Sequence, residues 1–249
     1  VAQRVGQRQQ VARRGGRPTL IGILASQFFP PMVFFVPFYI ILQRVGLLNS
    51  WGDLTVRGQL GSSGGALAFT GNVHSIEILS GGRLLGNVDL GGGDSHLDLA
   101  DGSIFDGVLS GGAGTDSIRF GQTGAILLDG ARILGFEQVS ADQAASVALR
   151  NSFNLSSMEI AGDLSIQQGA RLATTELILG GALDIQGGFA GSIRGNGANA
   201  ILLAAGDAAN PVNFADVSQV GQLRMASGYA QISGKAGFTS IEMQGGRIV

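Results

Sequence analysis

The chain has no cysteine, and Lys235 is the single lysine among its sixteen basic residues. Without cysteine there are no disulfide staples and no thiol chemistry. The compartment stays open, because an oxidising one permits disulfides without requiring them. Proline is scarce, five in 249 residues, and four of the five precede residue 40. Charged residues make up 14% and aromatic residues 6%. Low charge and little proline argue against disorder, so the 42 glycines call for another reading. The most telling gap is in acidic residues, none of which occurs before Asp53. Residues 1–52 carry six arginines and a formal charge of +6, whereas the other 197 residues carry ten basic and eighteen acidic groups, a formal −8. Such asymmetry points to a membrane or polyanion contact for the basic part. The acidic, aromatic-poor remainder argues against nucleic acid as a partner, since phosphate contacts need clustered Lys and Arg.

What is present divides at Ser50–Asp53. From Leu20 to Leu42 the chain reads LIGILASQFFPPMVFFVPFYIIL, with no charge. At about 1.5 Å per residue, such a run spans the roughly 30 Å hydrocarbon layer. Pro30, Pro31 and Pro37 weaken an isolated helix, but membrane helices tolerate proline where neighbours repair the backbone. Arg4, Arg8, Arg13, Arg14 and Arg17 precede the run, and only Arg44 closely follows it. The positive-inside bias then puts residues 1–19 in the cytoplasm, a membrane helix at 20–45, a junction at 46–52 and the rest across the membrane. A cleaved signal peptide is the rival reading, but no A-x-A-like site follows the long apolar run. SQFFPP at Ser26–Pro31, VPFYIIL at Val36–Leu42 and VGLLNSW at Val45–Trp51 give residues 13–51 a resemblance to one membrane helix of sugar-type ABC transporter permeases. Nothing after it follows that family: neither further spans nor an ATPase-docking loop is visible. The change of texture reads as a fusion point, and the chain as a chimera.

After Asp53 the pattern becomes short alternating apolar runs such as LTV, IEIL, HLDL, SIRF, AILL, LSI, LDIQ and LRM, punctuated by Gly, Asn, Asp and Ser. Period-two alternation predicts strands, and the glycines predict tight turns that need positive φ. The runs also repeat. Val73-HSIEILSGGRL resembles Phe238-TSIEMQGGRI, and LLGNVDLGGGDSHLDL from Leu84 resembles IFDGVLSGGAGTDSIRF from Ile104. The second pair matches Asp94-Ser95 with Asp116-Ser117 and so implies a repeat of about 22 residues. Self-similarity at a period of about 20 residues signals a solenoid, in which stacked rungs share one core that no rung could form alone. The fold expected for 53–249 is an all-β, right-handed parallel β-helix of about nine rungs. A sandwich or up-and-down barrel is the rival, though two-residue Asp-Gly and Asn-Gly hairpin signals are scarce.

GGAGTDSIRF at Gly111–Phe120, LGFEQVSAD at Leu134–Asp142 and GGALDIQGGFAGSIRGNG at Gly180–Gly197 give residues 53–249 a resemblance to bacterial autotransporter passenger domains. The resemblance implies a β-helical surface protein, adhesin-like, with host-surface or matrix glycans or proteins as partners. A translocator barrel is missing, and the sequence stops at Val249 in mid-repeat, which reads as a fragment.

Candidate chemistry is thin. Gly111-Gly-Ala-Gly-Thr-Asp116 matches a GGxGxD calcium turn, with Gly91-Gly-Gly-Asp94 a degraded copy, so Asp94 and Asp116 are candidate calcium ligands. The alternative is a glycine turn whose Asp caps backbone amides. His74 and His96 are the two histidines. A His–Asp–Ser set with Ser95 or Ser103 can be written, but outward solvated histidines are the simpler reading. Asp94, Asp98, Asp101, Asp106 and Asp116 form the densest acidic group, which a glycan-cleaving β-helix would line up in one groove. The alternative is a solubilising outer face, with Tyr229, Phe105, Phe120 and Phe189 too few for sugar stacking. The functional expectation is therefore a non-catalytic extracytoplasmic passenger without cofactor, held to the membrane by 20–45. A polysaccharide-cleaving enzyme and a remnant of a carbohydrate permease are the alternatives.

Overall fold

A computed structural model describes residues 53–69, 75–142 and 145–249. The basic N-terminus, the membrane helix expected at 20–45, the junction at 46–52 and His74 lie outside them. Among the described residues no helix is long and apolar enough to cross a membrane.

The described chain is an all-β parallel solenoid of about nine turns. Its first face stacks Asp53–Val56, Ser75–Ile78, His96–Ala100, Ser117–Gly121 and Gln138–Ala141, and continues through Ser152–Ile160, Arg171–Leu179, Gly188–Arg194 and Val212–Ile232. Every pairing in it is parallel. Alternation explains the shape. Along each strand every second side chain turns inward, and in-register parallel pairing sets like upon like. Ile76, Leu97, Ile118, Val139, Met158, Leu177 and Ile193 form one such inward ladder, all at most 3% exposed. A second ladder runs through Ile126, Val147, Leu164, Leu183, Ile201 and Leu223. Each fully buried aliphatic contributes roughly 1.5–3 kcal/mol, and stacking supplies the burial that a lone rung lacks.

Corners need glycine for steric reasons. Gly112 has φ +100°, and a Cβ there would overlap the Gly91 carbonyl oxygen one rung away. Corner carboxylates and amides supply the acceptors that turning strands leave unmatched. Asn87, Asp94, Asp101, Asp163 and Asp216 each accept the backbone N–H of a residue 19–22 positions later: Val108, Thr115, Thr123, Ala182 and Lys235. Much of the acidic excess thus serves to join one rung to the next.

Two details differ from the sequence reading. His96 lies opposite Ser117, which makes that rung one residue shorter than the spacing of Asp94 and Asp116 implies. The similar phrases around Ile76 and Ile241 sit on different faces, since Ile241 pairs with Leu223 in the second ladder. The shared phrase therefore records a strand followed by a glycine turn, a unit that recurs on any side of the coil.

The coil is not uniform. Ala100 pairs with Gly121 and Leu109 with Ile133, so the fourth rung takes twelve residue steps where the third takes nine. The extra length falls after Ala125, which follows Gly121 by the same four steps that separate Ile104 from Ala100. On this second face Ile104–Asp106 pairs only with the rung before it, and Ala125–Asp129 only with the rung after it.

Candidate functional site

The corner before the first face gathers Asp94, Asp116 and Glu137 from three successive rungs. The register matters here, because it sets Asp116 beside Ser95 and Asp94 beside Thr115. Asp94 is exposed, whereas Asp116 is fully buried. The Ser95 N–H donates to Asp116 Oδ1 at 2.8 Å, the Thr115 N–H to Asp94 Oδ1 at 2.8 Å, and the Asp116 N–H to Glu137 Oε2 at 2.8 Å. Asp116 Oδ2 is buried without a partner among the described residues. Burial, chiefly, pushes the Asp116 carboxyl above its usual range; its bonds with Ser95 oppose this, and the nearby Glu137 and Asp94 charges add to it. A calcium ion requires six or more oxygens. Here the two aspartates stand on opposite sides of the chain, each with one oxygen engaged by an amide. Among the described residues no group of three or more His, Asp or Glu side chains is set to hold a metal. Both aspartates accept backbone N–H groups, as the amide-capping reading of the turn expects.

The other acids do not share a groove. Asp98 lies on the first face and Asp106 on the second, with Asp101 at the corner between them. Acids that are close together within one rung occupy different sides of the coil, and their arginine partners lie one rung away. Asp98 bonds Arg119 at 2.6 Å, and Arg119 also holds Asp142, so one guanidinium spans three rungs. Both contacts hold the Arg119 guanidinium above its usual pKa, Asp142 first. Asp106 meets Arg132 at 3.2 Å. His96 Nδ1 is 2.8 Å from Ser117 Oγ. Neither Ser95 nor Ser103, both buried, is its partner.

Asp129, which sequence reasoning passed over, is held by a guanidinium, a side-chain amide and a backbone N–H. Arg150 lies one rung on, and with the Ala131 N–H and the Asn151 amide it lowers the Asp129 pKa to about 2. Its partners were legible in principle, since both Arg150 and Asn151 follow it at the spacing of one rung.

Of the four aromatics considered for sugar stacking, Phe120 and Phe189 are buried. Arg247 lies over the Tyr229 ring and Arg132 over the Phe105 ring. Phe105 nevertheless borders a cavity. It measures about 170 Å³ at the step between the third and fourth rungs, lined by Leu99, Phe105, Phe120, Ile126 and Ile133, with Gln122, Asp129 and Arg132 also on its wall. No family model, curated protein or solved structure matches the chain.

Proposed function

We propose that the chain is a non-catalytic extracytoplasmic passenger: a right-handed parallel β-helix that presents a rigid, repetitive outer face to host-surface or matrix glycans or proteins. The handedness follows from the strong chiral preference of parallel crossover connections. The observation that carries the non-catalytic reading is the commitment of the carboxylates. Asp94, Asp101, Asp116, Asp163, Asp216 and Glu137 accept backbone amides across rungs, and Asp98, Asp106 and Asp129 pair with arginines. A glycosidase needs two carboxylates facing each other across a substrate, and these acids are instead distributed around the coil as structural acceptors.

The membrane attachment through 20–45 rests on the charge-free run and the arginines before it, and the permease-like phrases there are read as an anchor rather than a transport pathway. No cofactor enters the reading; calcium restored after a chelator is expected to leave the melting temperature unchanged. Protease treatment of intact cells tests the display. Digestion of 53–249 without lysis supports a surface passenger, and digestion only after lysis overturns it. Turnover of any polysaccharide, lost on Asp98→Asn, would replace the reading with an enzymatic one.

A further inference from the structure

The step between the third and fourth rungs leaves two strand edges, Ile104–Asp106 and Ala125–Asp129, without a ladder between them. The Ile104 N–H donates back to Gly82 at 2.9 Å. Alternation along a parallel strand therefore turns the N–H and C=O of Phe105 forward, into the step. On the other side the Ser146 N–H donates to the Gly124 carbonyl at 2.8 Å. The same alternation turns the backbone groups of Ala125 and Leu127 back toward Phe105. No ladder joins these edges. Side chains bridge them at the two ends instead: Gln122 Nε2 reaches the Ser103 carbonyl at 3.2 Å, and Arg132 Nε reaches the Gly107 carbonyl at 2.8 Å.

Between the bridges lies the cavity of about 170 Å³, floored by inward-ladder side chains. A cavity of about 150 Å³ accepts benzene, so this one suits a single leucine- or phenylalanine-sized group. Leu127, 52% exposed, stands at its mouth, and Ile104, 46% exposed, is on the facing strand. The local charges are already matched, Arg132 with Asp106 and Arg150 with Asp129, so the slot offers no unpaired charge to a ligand. Backbone edges without a ladder partner among the described residues recognise a strand, an apolar floor recognises one large side chain, and a neutral rim favours an uncharged segment.

We propose that this step is a strand-addition site for an extended, uncharged, apolar segment of a partner protein, with one large side chain of that segment filling the cavity. The full chain is titrated with fluorescein-labelled acetyl-Thr-Val-Thr-X-Thr-Val-Thr-amide, where X is Phe, Leu, Ile or Val, and binding is read by anisotropy. The expected result is binding by at least one of the four. Its affinity falls about tenfold, the worth of a net hydrogen bond, when alternate amides are N-methylated, and by a similar factor when X is Glu. Hydrogen exchange at 103–107 and 125–129 is expected to slow on binding. Leu127→Lys, at an exposed position, and Ala125→Pro, which removes an edge N–H, are each expected to weaken binding about tenfold. Should Ala125→Pro fail to fold, Leu127→Lys carries the comparison. Binding by none of the four peptides, equal affinity for the N-methylated form, or protection mapped elsewhere overturns the site. Full protection of 125–129 before peptide is added also overturns it, since a segment of the chain itself would then occupy the slot.

Discussion

Asp116 illustrates how position in a rung overrides residue type. Its motif is that of a metal turn, and the fold gives it a backbone amide and a buried second oxygen. Its folded-state pKa lies above the ordinary value, so the proton is held more tightly in the folded chain. The resulting stabilisation is complete below the ordinary carboxylate range and is lost as pH rises through the raised value. Asp116→Asn keeps the acceptor for Ser95 and removes the ionisation. Its urea midpoint is expected to match or exceed that of the parent near neutral pH, and the parent alone should lose stability as pH rises from about 4. An identical pH profile for the two proteins would reject the assignment. Asp129 acts in the opposite sense, contributing stability above the ordinary carboxylate range that is lost as pH falls toward about 2. Glycines can be separated in the same way. Gly112→Ala meets both a positive φ and the Gly91 carbonyl, whereas Gly124→Ala, at φ +95°, meets nothing within 4 Å. Gly124→Ala is expected to cost about 1–3 kcal/mol and Gly112→Ala clearly more, by denaturant titration. Equal costs would mean that the corner relaxes freely.

At the scale of the element, the rung is the unit of folding. Ser157 pairs with Gln138 on one side and Glu176 on the other, and on the second face Leu164 pairs with Leu183, all at one common spacing. Deleting 157–175 therefore removes one rung and joins its neighbours in register. The shortened chain is expected to keep a β circular-dichroism spectrum and a cooperative melt. Deleting 157–166 alone shifts the following ladders out of register and is expected to abolish the melt. If both deletions fold equally well, the ladders do not set the register. The rung was legible in the sequence because apolar alternation and glycine spacing are local and repeat. Its exact length was not. The spacing of Asp94 and Asp116 suggested a rung one residue longer than strand pairing uses, and a one-residue slip exchanges the inner and outer sides of every residue. That slip makes Asp94 and Asp116 look like partners when one faces water and the other the core. The His96–Ser117 contact and the Asp98–Arg119–Asp142 group were hidden for the same reason, since each joins residues one rung apart.

The whole molecule behaves as a one-dimensional stack, in which stability depends on contacts between successive turns. The step between the third and fourth rungs interrupts the ladder on one face, which weakens the coupling there. Native-state hydrogen exchange is expected to show strands within 53–110 opening before those of 138–230, and Arg132→Ala, which removes a bridge across the step, is expected to widen the gap. Uniform protection along the solenoid would argue against a weak joint there. The amino-acid order by itself determined the change of charge at Ser50–Asp53, and the strand character and stacking of repeats in the described residues, because charge, alternation and glycine punctuation are written within a few residues of one another. Only the tertiary structure decided which residues meet across rungs, which carboxylates become amide acceptors, and where a rung lengthens beside a cavity. Those outcomes depend on register between segments a full rung apart, and register is fixed by packing against neighbouring turns rather than by any local preference.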